Sequence, residues 1–352
     1  MRRFSLPAAL ALTLVLLAAC GGGSDSPSST PEPPGASGNG ADWGVAGVIP
    51  PHFPAPTGDD DARLFASYSE TGNLAGVYLN WADSPADEGN VPRGVASVNQ
   101  AVAARGIELV VALGATRDDG AGVRSTVNWA DPAQRQRFMD TVRNVATTIR
   151  PPYLAIGVEV NRLWEADPAA FDQFAAGYRE AYAVAKKASP GTRVFTVFQL
   201  EMMNGEAFLA GGSDARQPEW ELLAKFDGAL DALGFTSYPF FDYETPQAIP
   251  ADYFLQASAK AALPVVLTEL GWPSRPLSTA PGSGYGGSAA EQLEFVQRLP
   301  SLLEGSTVHA VLWAFPFDLG AGAPVTFESV ALRENDGSEK PALVAWRSLV
   351  GR

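Results

Sequence analysis

Pro264-Val-Val-Leu-Thr-Glu-Leu270 is a segment in which one carboxylate interrupts an otherwise almost wholly apolar run. Continuity of this kind suits a strand buried on both faces, as in a parallel sheet covered by helices. Tyr153-Leu-Ala-Ile-Gly-Val-Glu-Val160 has the same form, again with a glutamate near its end. Outward from these two, short apolar runs recur at Leu64–Tyr68, Gly76–Trp81, Ile107–Gly114, Arg193–Leu200, Leu233–Pro239 and His309–Phe315. Val45–Ile49 competes with Leu64–Tyr68 for the first place. Eight runs alternating with amphipathic stretches predict repeated β-α units, and eight suits a closed barrel. The expected fold is α/β, a single-domain (β/α)8 (TIM) barrel.

The stretches between the runs carry helix-start signals. Asp131-Pro132 and Asp167-Pro168 each place a capping carboxylate before a first-turn proline. Ser288 with Glu291 has the spacing of a capping box. Phe138, Val142, Val145 and Ile149 then share one helix face, as do Phe171, Phe174, Tyr178 and Ala185. These stripes read as packing surface. An open doubly wound sheet is the competing architecture, but the glycine-rich fingerprint after a first strand is missing.

The N-terminus reads differently. Arg2 and Arg3 precede an apolar run that ends in Leu17-Ala18-Ala19-Cys20. This is the form of a secretory signal, too short for a stable membrane span. A cysteine directly after Leu-Ala-Ala resembles the bacterial lipobox, which implies acylation of Cys20, the only cysteine in the chain. Residues 1–19 are therefore read as a lipoprotein signal peptide, 20–45 as the lipidated cysteine with a Gly/Ser/Pro tether, and 46–352 as the barrel. The expectation is an exported monomer, lipid-anchored to the bacterial cell envelope, at the outer membrane or facing the periplasm, with the cell surface as a further alternative.

Composition narrows the function. The formal charge is −14, with 39 acidic against 25 basic residues, which argues against a nucleic-acid partner. Two histidines and one cysteine leave few ligands for a transition metal, so neither metal nor cofactor is expected. Asp59-Asp60-Asp61 reads as an acidic turn rather than a calcium site, and His52 and His309 read as non-catalytic. Without a well-placed histidine base, Ser/His/Asp chemistry is disfavoured.

Active sites of these barrels gather at the C-terminal ends of the strands. Glu159 and Glu269 both fall there, on strands four and seven of this count. A carboxylate closing an apolar strand is costly to desolvate. A single such acid has a bland explanation as an ion pair or cap; two point to paired-carboxylate chemistry, and glycoside hydrolysis needs one protonated acid and one ionised carboxylate. Aromatics near strand ends, namely Trp81, Trp129, Trp164, Tyr238, Trp272 and Trp313, are candidates for stacking on sugar rings, with packing as the equal alternative. Asn80, Asn161 and Gln199 are polar candidates beside them.

Ile156-Gly-Val-Glu-Val-Asn161 resembles the strand-four acid/base motif of glycoside hydrolase clan A. Leu267-Thr-Glu-Leu-Gly-Trp-Pro-Ser274 resembles its strand-seven nucleophile motif, nearest to the β-1,3-glucanases of family seventeen. Trp129-Ala-Asp-Pro132, Asn161-Arg-Leu-Trp164 and Ser237-Tyr-Pro239 are similar to motifs of the arabinogalactan endo-β-1,4-galactanases of family fifty-three. The resemblance, from about Leu64 to Phe317, implies a retaining hydrolase of a β-linked polysaccharide or oligosaccharide. It implies Glu159 as acid/base, Glu269 as nucleophile, Tyr238 as the nucleophile's hydrogen-bond partner and Trp313 as a sugar platform. Two departures stand out: Val158 replaces the asparagine that precedes the acid, and Gly76-Val-Tyr-Leu-Asn-Trp81 lacks the strand-two arginine. They leave open a glycan-binding lipoprotein without catalysis, or a transglycosylase using the same acids.

Overall fold

The computed structural model describes residues 41–81, 89–118, 123–206, 217–276, 287–320 and 327–352. The signal, Cys20 and most of the tether lie outside these residues. Among the described residues, no helix is long and apolar enough to cross a membrane.

The barrel strands are β1 (Asp42–Ala46), β2 (Leu74–Asn80), β3 (Glu108–Gly114), β6 (Tyr153–Ile156), β7 (Arg193–Phe195), β8 (Val197–Gln199), β9 (Leu233–Ser237), β10 (Val265–Leu270) and β11 (Val308–Ala314); a hairpin, β4 (Thr116–Asp118) with β5 (Val123–Ser125), follows β3. The sheet runs β7-β6-β3-β2-β1-β11-β10-β9-β8 with every pairing parallel. Its two ends, β7 and β8, are one run of chain interrupted at Thr196, so the sheet closes on itself as eight strands.

The first strand is Asp42–Ala46, overlapping the competing stretch Val45–Ile49, and it begins inside the segment read as tether. Leu64–Tyr68 instead lies within helix α1 (Asp60–Thr71), where Leu64, Ser67, Tyr68 and Thr71 bury one face at three- and four-residue spacing. A short apolar run cannot by itself separate a strand from a buried helix segment. Asp59 to Asp61 form the start of α1, after the first strand rather than before it; buried Asp60 accepts bonds from the Thr57 amide and hydroxyl.

Outer helices begin where their caps dictate. Asp131 accepts from the Ala133 amide at the start of α3 (Pro132–Thr148), and Asp167 from the Ala169 and Ala170 amides at α5 (Pro168–Ala188). The Ser288 hydroxyl accepts from the Glu291 amide ahead of α8 (Ala289–Leu302). Helices α2 (Arg93–Ala103) and α7 (Tyr253–Ser258) belong to the same outer layer, as does α9 (Pro341–Val350).

Two apolar shells result. Ala46, Leu74, Val110, Ala112, Tyr153, Ala155, Phe195, Val197, Val266, Ala310 and Leu312 fill the barrel interior. The alternate strand residues, with Trp43, Val45, Val111, Leu154, Val311 and Trp313 among them, pack outward against the helices. Alternation across the pleat thus decides which residues can reach the mouth of the barrel.

Candidate active site

Strand β6 ends at Ile156, and the next residues turn sharply into α4 (Val160–Ala166). Gly157 has φ 81° and Glu159 φ 50°, both left-handed. A glutamate in that region costs about 1–2 kcal/mol. The turn is held by both neighbouring strands: the Gly157 amide donates to Leu113 O at 2.8 Å, and the Val197 amide to Gly157 O at 3.2 Å. Backbone strain is therefore spent where Glu159 leaves the sheet.

Both oxygens of the Glu159 carboxylate are engaged. The Thr236 hydroxyl donates to Oε1 at 2.8 Å, and Arg162, one helical turn on, donates Nη1 to Oε2 at 3.0 Å. Arg162 also pairs through Nη2 with Asp118 of the hairpin, at 2.5 Å. The ion pair is partly shielded, with the Glu159 side chain 18% and the Arg162 side chain 20% exposed.

Glu269 reaches the interior by a different device. In the pairing of β10 with β9, Val266 faces Gly234 and Leu267 faces Phe235, but Glu269, not Thr268, faces Thr236. The same residue is skipped against β11, where Leu267 faces Val311 and Leu270 faces Trp313. Val266 points into the barrel, so strict alternation would send Glu269 outward. One extra residue at Thr268, a β-bulge, reverses the parity and turns Glu269 inward.

Strand β9 then serves both acids. Thr236 grips Glu159 and lies in register opposite Glu269, while Tyr238, two residues on, donates its hydroxyl to Glu269 Oε2 at 2.6 Å. Burial, then the charge of Glu269, keeps the Tyr238 hydroxyl protonated far above neutral pH, so it acts as a donor. The Glu269 carboxyl itself is pushed up to about 7: burial raises it, the Tyr238 bond opposes, and the charge of Glu159 adds to the rise. The two carboxylates therefore sense one another.

Gly114 shapes the wall beside them. A Cβ there would lie 2.6 Å from the Tyr78 hydroxyl, so glycine is what admits the Tyr78 ring. Asn80 shares the inward parity of Leu74 and Tyr78, and its Oδ1, shielded from water, has no hydrogen-bond partner among the described residues.

The other sequence candidates are placed elsewhere. Trp81, one residue past Asn80, packs edge-on against Phe138 and donates Nε1 to the Thr141 hydroxyl. Trp129 sits between Phe138 and Phe174, and Trp164 is half-buried against Phe171. Trp313 lies on the outer face of β11, donating Nε1 to Val330 O at 2.7 Å and packing on Phe295 and Trp346. Trp272 is fully buried between Phe240 and Phe295. The Asn161 side chain bonds the Gln199 main chain, donating Nδ2 to its carbonyl and accepting from its amide, and so ties α4 to the end of β8. Trp81 and Trp313 follow or alternate with the inward residues of β2 and β11, so the pleat sends them to the helix side. The structure brings together Glu159, Glu269 and Tyr238, with Asn80 on the inward face of β2.

Thr236, Arg162, Asp118 and Glu201 were not among the sequence candidates. Thr236 shares the inward parity of Tyr238, and Arg162 stands three residues from Glu159 on a helix, so both had a positional signal. Asp118 and Glu201 had none. Among the described residues, no group of His, Cys, Asp and Glu could hold a metal ion.

No protein-family model matches the chain, and no curated protein matches it significantly. Solved structures do. The chain shares its fold with solved glycoside hydrolases. A GH5_18 protein from Streptomyces cattleya in complex with Manβ1-4GlcNAc superposes with TM-score 0.63 at 18% identity, covering 89% of this chain and 80% of that one. The exo-β-1,4-mannosidase Op5Man5 from Opitutaceae bacterium strain TAV5 gives 0.61 at 16% identity, over 90% of this chain and 60% of that one. A family 39 glycoside hydrolase from Bacteroides cellulosilyticus WH2 gives 0.60 at 19% identity, over 87% of this chain and 62% of that one. The chain thus spans about three fifths of the length of the last two.

Proposed function

We propose that this protein is a retaining glycoside hydrolase of β-linked glycans, with Glu269 as nucleophile and Glu159 as acid/base. The observation that carries this is the use of one strand to fix both acids: Thr236 holds Glu159 and faces Glu269, which Tyr238 holds in turn. Double displacement calls for carboxylates about 5–5.5 Å apart, and an acid bonded by Thr236 beside an acid in register with Thr236 favours that short separation. Glu269 would attack the anomeric carbon and form a glycosyl-enzyme, with its negative charge stabilised by the Tyr238 hydroxyl. Glu159 would protonate the departing oxygen, and as a carboxylate then take a proton from the attacking water. No cofactor enters either step.

The non-catalytic alternative loses support because the tryptophans that would serve as sugar platforms are committed to packing. Asn80 is the polar group on β2 suited to a sugar hydroxyl, since its buried Oδ1 awaits a donor. For the substrate, the mannosidase and the Manβ1-4GlcNAc complex among the similar folds direct attention to β-mannosides. We further place the enzyme in the bacterial envelope, exported and lipid-anchored through Cys20.

A panel of aryl β-glycosides, β-mannan, β-galactan and β-1,3-glucan tests the reading. Release of reducing ends with first-formed product of retained configuration by NMR is expected, together with trapping of Glu269 by a 2-deoxy-2-fluoro glycoside. Binding without release, or an inverted product, would refute it; transfer to a sugar acceptor in place of water would mark a transglycosylase.

A further inference from the structure

The largest unexplained expense near the cleft is Glu201. It sits on α6 (Leu200–Met203), directly after β8, and is fully buried. It is not a catalytic candidate, because it has no exposure to a substrate. An isolated buried carboxylate is costly, so its surroundings indicate what it does.

Four donors converge on it. Oε1 accepts from the Ser237 hydroxyl at 2.8 Å, the Tyr238 amide at 2.9 Å and the Tyr253 hydroxyl at 2.7 Å. Oε2 is met by the Gln199 side-chain amide. Two of these donors belong to consecutive residues at the end of β9, where the chain leaves the sheet for a single 3-10 turn (Pro239–Phe241). Tyr238 therefore stands one residue past the end of β9, with its amide held by Glu201. Its ring is buried, resting on Phe240, Phe241 and Phe327, and its hydroxyl ends on Glu269.

We propose that Glu201 is a positioning residue: by clamping the Ser237 hydroxyl and the Tyr238 amide through Oε1, it fixes the height at which the Tyr238 hydroxyl meets Glu269. The inference rests on the proposed role of Glu269, but its physical content, the Glu201–Tyr238–Glu269 line, does not. The environment agrees with a demanding clamp. Burial drives the Glu201 carboxyl up to about 8, with its donors opposing and Glu206 adding to the rise. Glu206 is the second acid of this cluster, reached by the Tyr243 and Tyr253 hydroxyls at 3.0 and 3.4 Å, with Asp242 acting on its charge. Around Glu269 the charged and titratable groups are Tyr238 and Glu159, the latter paired with Arg162.

The test separates geometry from charge. Glu201→Asp keeps a carboxylate but withdraws it by about one carbon–carbon bond, roughly 1.5 Å. Glu201→Gln removes the charge while its amide oxygen can still occupy the Oε1 position. In free protein carrying 13C-labelled glutamate carboxyls, with Glu269→Gln assigning the signal, Glu201→Asp should raise the Glu269 midpoint by about half a pH unit or more. Glu201→Gln should restore most of the wild-type value. On a turned-over substrate, Glu201→Asp should lower kcat by about tenfold or more with KM within about twofold, and cost nothing further in a Tyr238→Phe background.

An unchanged Glu269 titration in folded Glu201→Asp overturns the proposal, as does an equal kcat loss with and without the Tyr238 hydroxyl. Should Glu201→Asp fail to fold, Tyr253→Phe loosens the same carboxylate from its other side. It should give a smaller shift of the same sign, and no shift overturns the proposal. Because the titration needs no substrate, failure of the glycosidase assignment would leave this test intact.

Discussion

Replacing Glu269 by glutamine should remove turnover and, at alkaline pH, stabilise the fold. Folding raises this carboxyl from its ordinary 4.5 to about 7, with burial as the main cause. An acid raised in this way holds its proton more tightly folded than unfolded. Its favourable contribution is complete below about 4.5, declines as pH rises, and is lost once pH passes about 7. A rise of that size corresponds to about 3 kcal/mol at most. The side chain keeps some solvent contact, which screens the charge, so about 1–3 kcal/mol is the working figure. Glutamine keeps the acceptor for the Tyr238 hydroxyl and discards the charge. Thermal melts at pH 5 and pH 8.5 read the difference: near-equal midpoints at pH 5, and a variant higher by roughly 2–6 °C at pH 8.5. Activity should fall by about a thousandfold or more at every pH. A variant that is less stable at pH 8.5, or equally shifted at both values, would refute the idea that Glu269 is a buried, unpaired charge stored for chemistry.

The acidic limb of the wild-type rate profile should have its midpoint near pH 7, because the nucleophilic role proposed for Glu269 requires it ionised; a limb near pH 4 would contradict the burial argument. Tyr238→Phe removes the hydrogen bond that favours the charged form, so that limb should move to higher pH and kcat should fall, both read from one pH–rate series. Glu159→Ala should cost about 10²–10⁴-fold on substrates with poor leaving groups and much less on activated aryl glycosides, with azide restoring part of the rate. Trp313→Phe should lower the melting temperature and leave KM unchanged; a raised KM in the folded variant would return this residue to the cleft.

The sequence by itself determined the repeating β-α order, most strand positions, the helix starts at Asp131, Asp167 and Ser288, and the placement of two acids at strand ends. These are local matters: a strand shows as an apolar run and a cap as a short polar side chain beside free amides. Leu64–Tyr68 marks the edge of that legibility, since five apolar-rich residues read equally well in a helix. What only the tertiary structure decided was which face of each strand looks into the barrel. Strands buried on both sides have no polar and apolar face to tell apart, so Trp81 and Trp313 looked as available as Asn80. The register against neighbouring strands settled it, sending those two rings to the helices. At Thr268 the same register introduced one extra residue, and that bulge is the reason Glu269 points inward at all. Glu201 had no signal in the chain because its donors come from residues 199, 237, 238 and 253, which meet only when β8 and β9 stand side by side.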